Sequence, residues 1–349
     1  MLRKIFFGTI IVLILVAVLA GWFFFTSATS GDKSKFLFIR SDSATYPAVI
    51  NSIRKEQLVK NAGAFDFLAK RMSLEEKIKP GRYEIKPGMS NFEIVRLLRN
   101  GRQAPVKLII TKLRTKEDLA SFIGKRFESD SLSVINYINN ADSLKRFELD
   151  TAIIMTGVLP NTYELFWNSS PTVIFRKLFA QKEDYWTDER KKMAAERKLT
   201  PTTAYILASI VEEETTAESE KDTMASVYLN RYYAGMRLQA DPTVKFALRD
   251  FGLKRIYEKH TAIESPYNTY RNAGLPPGPI CTPSLKTLDA VLHAPSTKYM
   301  YFVAKSDFSG RHIFTETYDE HLKYAREFHQ AQDKQQKIKA AKEDVGSQP

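Results

Sequence analysis

Residues 200–220 read TPTTAYILASIVEEETTAESE, a helix that begins by rule and then breaks its own pattern. Thr200 offers a capping hydroxyl, and Pro201 brings a fixed φ at the first helical position. An apolar run over 204–211 then meets three glutamates at 212–214, and the helix is expected to end near Glu214. Side chains in a helix lean back over the residues three and four earlier. Glu212 therefore lies over Ser209 and Ala208, Glu213 over Ile210 and Ser209, and Glu214 over Val211 and Ile210. Glu214 occupies the most apolar of these rows, and Glu213 is expected on the solvent side. Burial disfavours the charged form, so a carboxyl group at 214 would hold its proton to roughly pH 6–7 and could act as a general acid. The plain alternative is a glutamate exposed at a helix end, and position alone does not separate the two.

Downstream, Ser219 and Asp222 read as the N-terminus of a second helix. Asn230, Gln239 and Asp241 bring hydrogen-bonding groups, and Asp241-Pro242 reads as a turn. The segment 267–280, YNTYRNAGLPPGPI, sets Tyr267, Asn268 and Tyr270 on a rigid Pro/Gly loop. Rings stack on the apolar faces of sugars and amides pair with hydroxyls, so these residues suit the wall of a sugar-binding cleft; each alone is as readily structural. Glu212 and Glu220 are candidates for a supporting polar shell around Glu214. A turn with three aromatics, GVLPNTYELFW at 157–167, reads as a packed loop or a sugar-binding wall.

The first half has its own grammar. Residues 36–39 read as a strand, followed by helical runs over 48–60 and 64–70. KPGRYEIKPGMSNFEIVRLLRNG at 79–101 then gives turn, strand, turn and helix. Tyr83 and Ile85 alternate, Ser90 and Glu93 form a capping box, and Gly101 suits the residue after the helix. With its G-x-S-x-x-E-I core this segment resembles a LysM-type module; glycan binding and a structural spacer both fit. VKLIIT at 106–111 is a further strand and 116–126 an amphipathic helix.

Residues 5–25 contain no charge and match the roughly 30 Å hydrocarbon core of a bilayer. Arg3 and Lys4 precede them, which keeps a stub at 1–4 in the cytoplasm and exports the rest. A single-pass anchor in the cytoplasmic membrane is expected, with a cleaved signal peptide as the alternative. The layout expected is thus stub 1–4, span 5–25, polar linker 26–34, LysM-like domain 35–105, a larger mixed α+β domain 106–330, and a charged tail 331–349 that either extends the last helix or is disordered. The fold class is α+β.

The 349 residues are 44% hydrophobic and 26% charged, with a net charge of +12. That excess suits an acidic polymer or membrane face; no phosphate loop, RNA-binding signature or zinc-finger spacing directs it to nucleic acid. The single cysteine, Cys281, excludes an internal disulfide framework and reads as packing. His312 could line a cleft, but none of the five histidines shows ligand spacing, so no metal or cofactor is expected.

Residues 206–248, ILASIVEEETTAESEKDTMASVYLNRYYAGMRLQADPTVKFAL, with YNTYRNAGLPPGPICTPS and YMYFVAKSDFSGRHIFTETYDEH, resemble the YceG-like family. Its members are membrane-bound endolytic murein transglycosylases. The motif A-S-I-V-E-x-E-T falls on 208–215, and the resemblance implies that its second glutamate, Glu214, is the catalytic acid. It also implies cleavage of the MurNAc–GlcNAc bond in nascent peptidoglycan, a 1,6-anhydro product, and association with wall polymerases and transpeptidases. A hydrolytic muramidase using Asp241 or Glu220 as base, and a silent glycan-binding scaffold, are the alternatives. One departure is visible: the family pattern G-x-L-x-P-D-T-Y appears here as TGVLPNTY, 156–163, with Asn161 for the aspartate, so no charged role follows for that loop.

Overall fold

The computed structural model describes residues 2–29, 31–145 and 147–346; the side chains of 2–5, 16–20, 22–24 and 336–346 are outside the described set. In chain order the elements are α1 (Leu2–Phe25), β1 (Lys35–Ile39), α2 (Tyr46–Lys55), α3 (Ala62–Arg71), β2 (Gly81–Ile85), α4 (Asn91–Arg99), β3 (Val106–Ile110), α5 (Lys116–Gly124), α6 (Ser131–Asn139), α7 (Ala141–Lys145), β4 (Asn161–Leu165) and α8 (Pro171–Tyr185). There follow α9 (Asp188–Glu196), α10 (Pro201–Glu214), α11 (Lys221–Tyr233), α12 (Asp241–Leu248), α13 (Glu258–Thr261), α14 (Leu285–Leu292), β5 (Tyr301–Ala304), β6 (His312–Thr315) and α15 (Tyr318–Gly346). The strands form two-stranded sheets, β1–β2, β3–β4 and β5–β6, so the chain is α+β with helices dominant. It divides into two compact units. The first comprises residues 1–108, 123–131 and 164–174, the second the remainder.

In the first unit β1 and β2 pair antiparallel, with Leu37 opposite Tyr83 and Phe38 opposite Arg82. Leu37, Ile39, Tyr83 and Ile85 face inward onto α2, α3 and α4, whose Ile53, Phe65, Ile94 and Val95 complete the core. The capping box at Ser90 forms as expected: its hydroxyl accepts from the Glu93 amide and the Glu93 carboxylate accepts from the Ser90 amide at 2.8 Å. Gly101 follows the helix at φ +65, the left-handed conformation that ends it at little steric cost. Helix α2 stops at Lys55, five residues short of the expected end, because Gln57 turns left-handed at φ +47.

Helix α1 runs over the expected span. Among the described residues no helix is long and apolar enough to cross a membrane, and part of the stretch 5–25 lies outside the described set. Met1 of the expected stub, Ser30 of the linker and residues 347–349 of the tail also lie outside it. Within the stretch read as a linker, Ala28 and Thr29 are buried against the first unit. The Ala28 amide donates to Met89 O at 2.9 Å, the Lys60 amide to Ala28 O at 2.7 Å, and the Gly88 amide to the Thr29 hydroxyl at 2.9 Å. The tail continues α15 to Gly346.

The second unit is built around α10. Residues 204–211 are all buried, so this helix is apolar on every side and runs through the core. Helices α9, α11, α12 and α14 pack around it, bringing Met224, Tyr228, Phe246, Leu288 and Val291 into one cluster. Three local expectations are corrected. The stretch 161–165 is a strand, β4, not only a loop. Helix α11 starts at Lys221 after a short 3-10 turn and takes no cap from Ser219. Asp241-Pro242 opens α12 instead of making a turn, since proline is well tolerated in the first helical turn.

Candidate active site

The end of α10 separates the three glutamates by partner. Glu212 turns towards α14 and α11. Its carboxylate accepts from the Ser284 amide at 3.3 Å, the Ser284 hydroxyl at 3.0 Å and the Thr287 hydroxyl, and pairs with Lys221 Nζ at 3.2 Å. Burial pushes this carboxyl up, but the Thr287 hydroxyl, Lys221 and Ser284 outweigh it and hold the group below the ordinary carboxylate value. Glu212 is therefore a fixed anion that caps α14.

Glu213 does not face solvent as expected. It is half-buried and paired with Lys112 at 2.6 Å and Arg114 at 3.2 Å. Ile210 and Ser209, over which it leans, are themselves buried, so a charge there has to meet cations.

Among the described residues Glu214 meets no cation directly. Its Oε1 accepts from the Tyr228 hydroxyl at 2.5 Å. Burial pushes its carboxyl up to about 7; the Tyr228 hydrogen bond opposes this, the Asp241 charge adds to it, and Arg231 and Lys245 counter it. The side chain is only half-buried, so apolar surroundings desolvate the carboxyl without sealing it. A carboxylic acid half protonated near neutrality, with one oxygen pinned, suits proton donation and recovery.

Tyr228 was not singled out by the sequence, although a signal exists. Met224, Tyr228 and Arg231 form one buried stripe of α11 at helical spacing, and a buried tyrosine hydroxyl requires a partner. Arg231 is held below it by Nε to Met300 O at 2.7 Å and Nη1 to Leu238 O at 2.6 Å.

Asp241, at the start of α12, accepts from the Tyr270 hydroxyl at 2.6 Å. A knot of threonines holds this pair in register. The Ala240 amide donates to the Thr269 hydroxyl at 3.0 Å, the Gln239 amide to Thr269 O at 3.1 Å, and the Thr243 and Thr269 hydroxyls lie 2.8 Å apart. Tyr228–Glu214 and Asp241–Tyr270 thus form two phenol–carboxylate pairs within electrostatic reach of each other.

The other expected site residues have different surroundings. Asn268 is fully buried and ties its loop: Nδ2 donates to Thr261 O and Ile263 O, both at 2.8 Å. Asn230 donates Nδ2 to Thr297 O at 3.0 Å and Tyr299 O at 2.9 Å, joining α11 to the segment that leads into β5. Gln239 is exposed at φ +52. Tyr267 lines a cleft of about 170 Å³ with Arg114, Phe246 and Arg249. Glu220 is buried and accepts from the His312 amide at 3.0 Å and meets His312 Nδ1 at 2.9 Å, which anchors β6. Ser209 explains itself in the same way, since its hydroxyl accepts from the Ile280 amide at 3.0 Å and so seats the 267–280 loop on α10. Cys281 is buried beside it, its Sγ 3.4 Å from Ser209 O, and burial pushes the thiol well up. No cluster of three or more metal-ligating side chains occurs among the described residues.

The model of the YceG-like family matches residues 39–327. An endolytic murein transglycosylase of Bacillus subtilis is 26% identical over 291 residues, covering 79% of this chain and 80% of its own. One from Streptococcus pneumoniae is 26% identical over 289 residues, 72% of this chain but only 51% of its own length. A crystal structure of a YceG-like protein from Listeria monocytogenes superposes at a TM-score of 0.56, with 26% identity, over 84% of this chain and 99% of that one. With the family match running through both units, and through the helix that carries the three glutamates, the chain belongs to the YceG-like family.

Proposed function

We propose that this protein is a membrane-anchored endolytic murein transglycosylase, a peptidoglycan lyase with Glu214 as its catalytic acid. The single observation that carries the reading is the half-buried Glu214 carboxyl, raised to about 7 and bound through Oε1 by Tyr228. The relatives named endolytic murein transglycosylases supply the substrate class.

In this reading Oε1 is occupied as an acceptor, so the acid proton resides on Oε2. Protonated Glu214 gives that proton to the glycosidic oxygen as the MurNAc–GlcNAc bond breaks through an oxocarbenium-like state. The carboxylate left behind takes the proton of the sugar's own C6 hydroxyl, whose oxygen closes onto C1. The product is a 1,6-anhydro end, Glu214 is regenerated, and strand elongation stops there. Glu212 and Glu220 serve by position, the first as the cap of α14 and the second as the anchor of β6. Asn230 and Asn268 act likewise, while Gln239, Asp241, Tyr267 and Tyr270 are the residues we assign to the substrate wall.

We place the catalytic unit on the exported face of the cytoplasmic membrane, tethered by α1. Phe6, Phe7 and residues 10–15 of α1 are exposed apolar side chains, which water would disfavour and acyl chains would accept. Nascent glycan strands are the substrate, and the wall polymerases and transpeptidases that make them are the expected neighbours.

Asp241 supports a second reading. Its charge reaches Glu214, and a carboxylate there could activate water, making the enzyme a muramidase. Mass spectrometry of the ends released from purified glycan strands separates the two, with Glu214→Gln as the inactive control. Anhydro ends support the lyase; reducing ends support the hydrolase. Unchanged cleavage by Glu214→Gln removes Glu214 as the acid.

A further inference from the structure

Helix α12 begins with Asp241, whose charge reaches Glu214, and leads at its other end into Arg249, about 12 Å further along. The turn beside it repeats this layout, with Tyr270 bonded to Asp241 and Tyr267 tilted against Phe246 at 4.6 Å. Both run from the Asp241–Tyr270 pair to the cleft of about 170 Å³ lined by Arg114, Ile154, Met155, Phe246, Arg249 and Tyr267. Arg114 gives a second link, since its Nη2 lies 3.2 Å from the carboxylate of Glu213, the residue before Glu214.

Each guanidinium of the cleft rests on a ring. Arg114 lies 4.8 Å from the centre of Phe251, and Arg249 lies 4.8 Å from that of Phe246. Arg249 closes α12 at φ +55, a left-handed conformation that glycine adopts at less steric cost, so the backbone alone does not call for arginine there. Among the described residues the Tyr267 hydroxyl has no hydrogen-bond partner. The nearby carboxylates leave cationic donors to spare. Arg249 meets Glu117 at 4.0 Å, with both side chains 54% exposed. Arg114 shares Glu213 with Lys112, and Lys116 on the rim donates to the neutral Asn139 at 2.7 Å. Asp150, also within electrostatic reach of Tyr267, accepts from the Ala152 and Ile153 amides at 2.7 Å and 3.0 Å.

We propose that this cleft is a carboxylate-binding subsite that holds the peptide branch of the substrate, so that cleavage is directed to strands still carrying their stem peptides. The identity of the strand rests on the function proposed above. Guanidinium forks take carboxylates through paired hydrogen bonds, and the free Tyr267 hydroxyl can donate one more. Ile154, Met155 and Phe246 line the rest of the cleft, which suits the carbon chain of an amino acid better than a bare inorganic anion. An extended chain advances about 3.3 Å per residue, so roughly four residues cover the length of α12. That is the reach of a short peptide branch on a sugar beside the cleaved bond.

The test uses the full chain carrying Glu214→Gln, so that nothing is cut, and measures by calorimetry its binding to soluble glycan strands with intact stem peptides. The same strands with their peptide carboxylates converted to amides are the comparison. The parent is expected to bind the amidated strands about tenfold more weakly. Adding Arg249→Gln lowers affinity for intact strands by about the same factor and leaves that for amidated strands within about twofold. Adding Arg249→Glu reverses the preference, because a carboxylate then faces a carboxylate. Equal binding of intact and amidated strands by the parent overturns the subsite without recourse to any variant. So does a loss by Arg249→Gln that is the same on both strands, which is the mark of a structural role. Binding of neither strand form overturns the function proposed above and this inference with it, whereas binding that ignores amidation removes the subsite alone.

Discussion

Three consecutive glutamates end one helix, and their neighbours give them three different states. Glu212 is kept charged by donors, Glu213 is paired with Lys112 and Arg114, and Glu214 is raised to about 7 by burial. The pH dependence follows from sign. The native state keeps the Glu214 proton to about pH 7, whereas the unfolded chain releases it near the ordinary 4.5. Between those values the native state binds more protons, so stability falls as pH rises through that window. Glu214→Gln is therefore expected to stabilise the protein by roughly 1–3 kcal/mol at pH 8 and to change little at pH 4, while abolishing cleavage. Thermal melts at the two pH values check this; equal shifts at both would sink it. The catalytic acid must be protonated, so activity should decline as pH rises above about 7. Tyr228→Phe removes a hydrogen bond that favours the carboxylate. The alkaline limb of the rate profile should then move to higher pH while kcat falls roughly 10- to 100-fold, because the pinned oxygen is released. A profile that keeps its shape would leave Tyr228 with a packing role only.

At the scale of elements, charged side chains act as fasteners. Lys221 is 4% exposed and lies between Glu212 and Glu218, at 3.2 Å and 2.7 Å. Glu212→Ala would leave that ammonium with the more exposed Glu218 alone and uncap α14. A loss of about 3 kcal/mol is expected in denaturant unfolding, at the low end for breaking a buried pair. Similar logic applies where α1 leaves off. Because Ala28 and Thr29 are buried and bonded to the 88–89 turn and Lys60, the stretch 26–29 is part of the packed fold of the first unit and not a free linker. A soluble form starting at 26 should unfold with the stability of the intact unit. One starting at 35 should lose roughly 2–3 kcal/mol with those hydrogen bonds, read by the urea midpoint. Identical midpoints would show that the contacts contribute nothing.

For the whole molecule, what could be read in advance was whatever depends on near neighbours in the chain. The start of α10 at Pro201 and its end at Glu214, the Ser90–Glu93 box and the left-handed Gly101 are all rules of one or two helical turns. The specific A-S-I-V-E-x-E-T run identified the family for the same reason, being contiguous. Glu214 was chosen for an apolar row on its own helix, but α10 proves buried on every side, so the row alone does not distinguish it. Its distinction comes from the hydroxyl of Tyr228 and the charge of Asp241, brought in by α11 and α12. The assignment of Glu213 to solvent failed because Lys112 and Arg114, a hundred residues earlier, fold back to meet it. Trp167 beside Phe38 is a juxtaposition of the same kind. Local sequence determined the helices, their caps and the family; tertiary structure decided which carboxyl loses its water and which finds a cation, because desolvation and charge pairing depend on distance in space and not on separation along the chain.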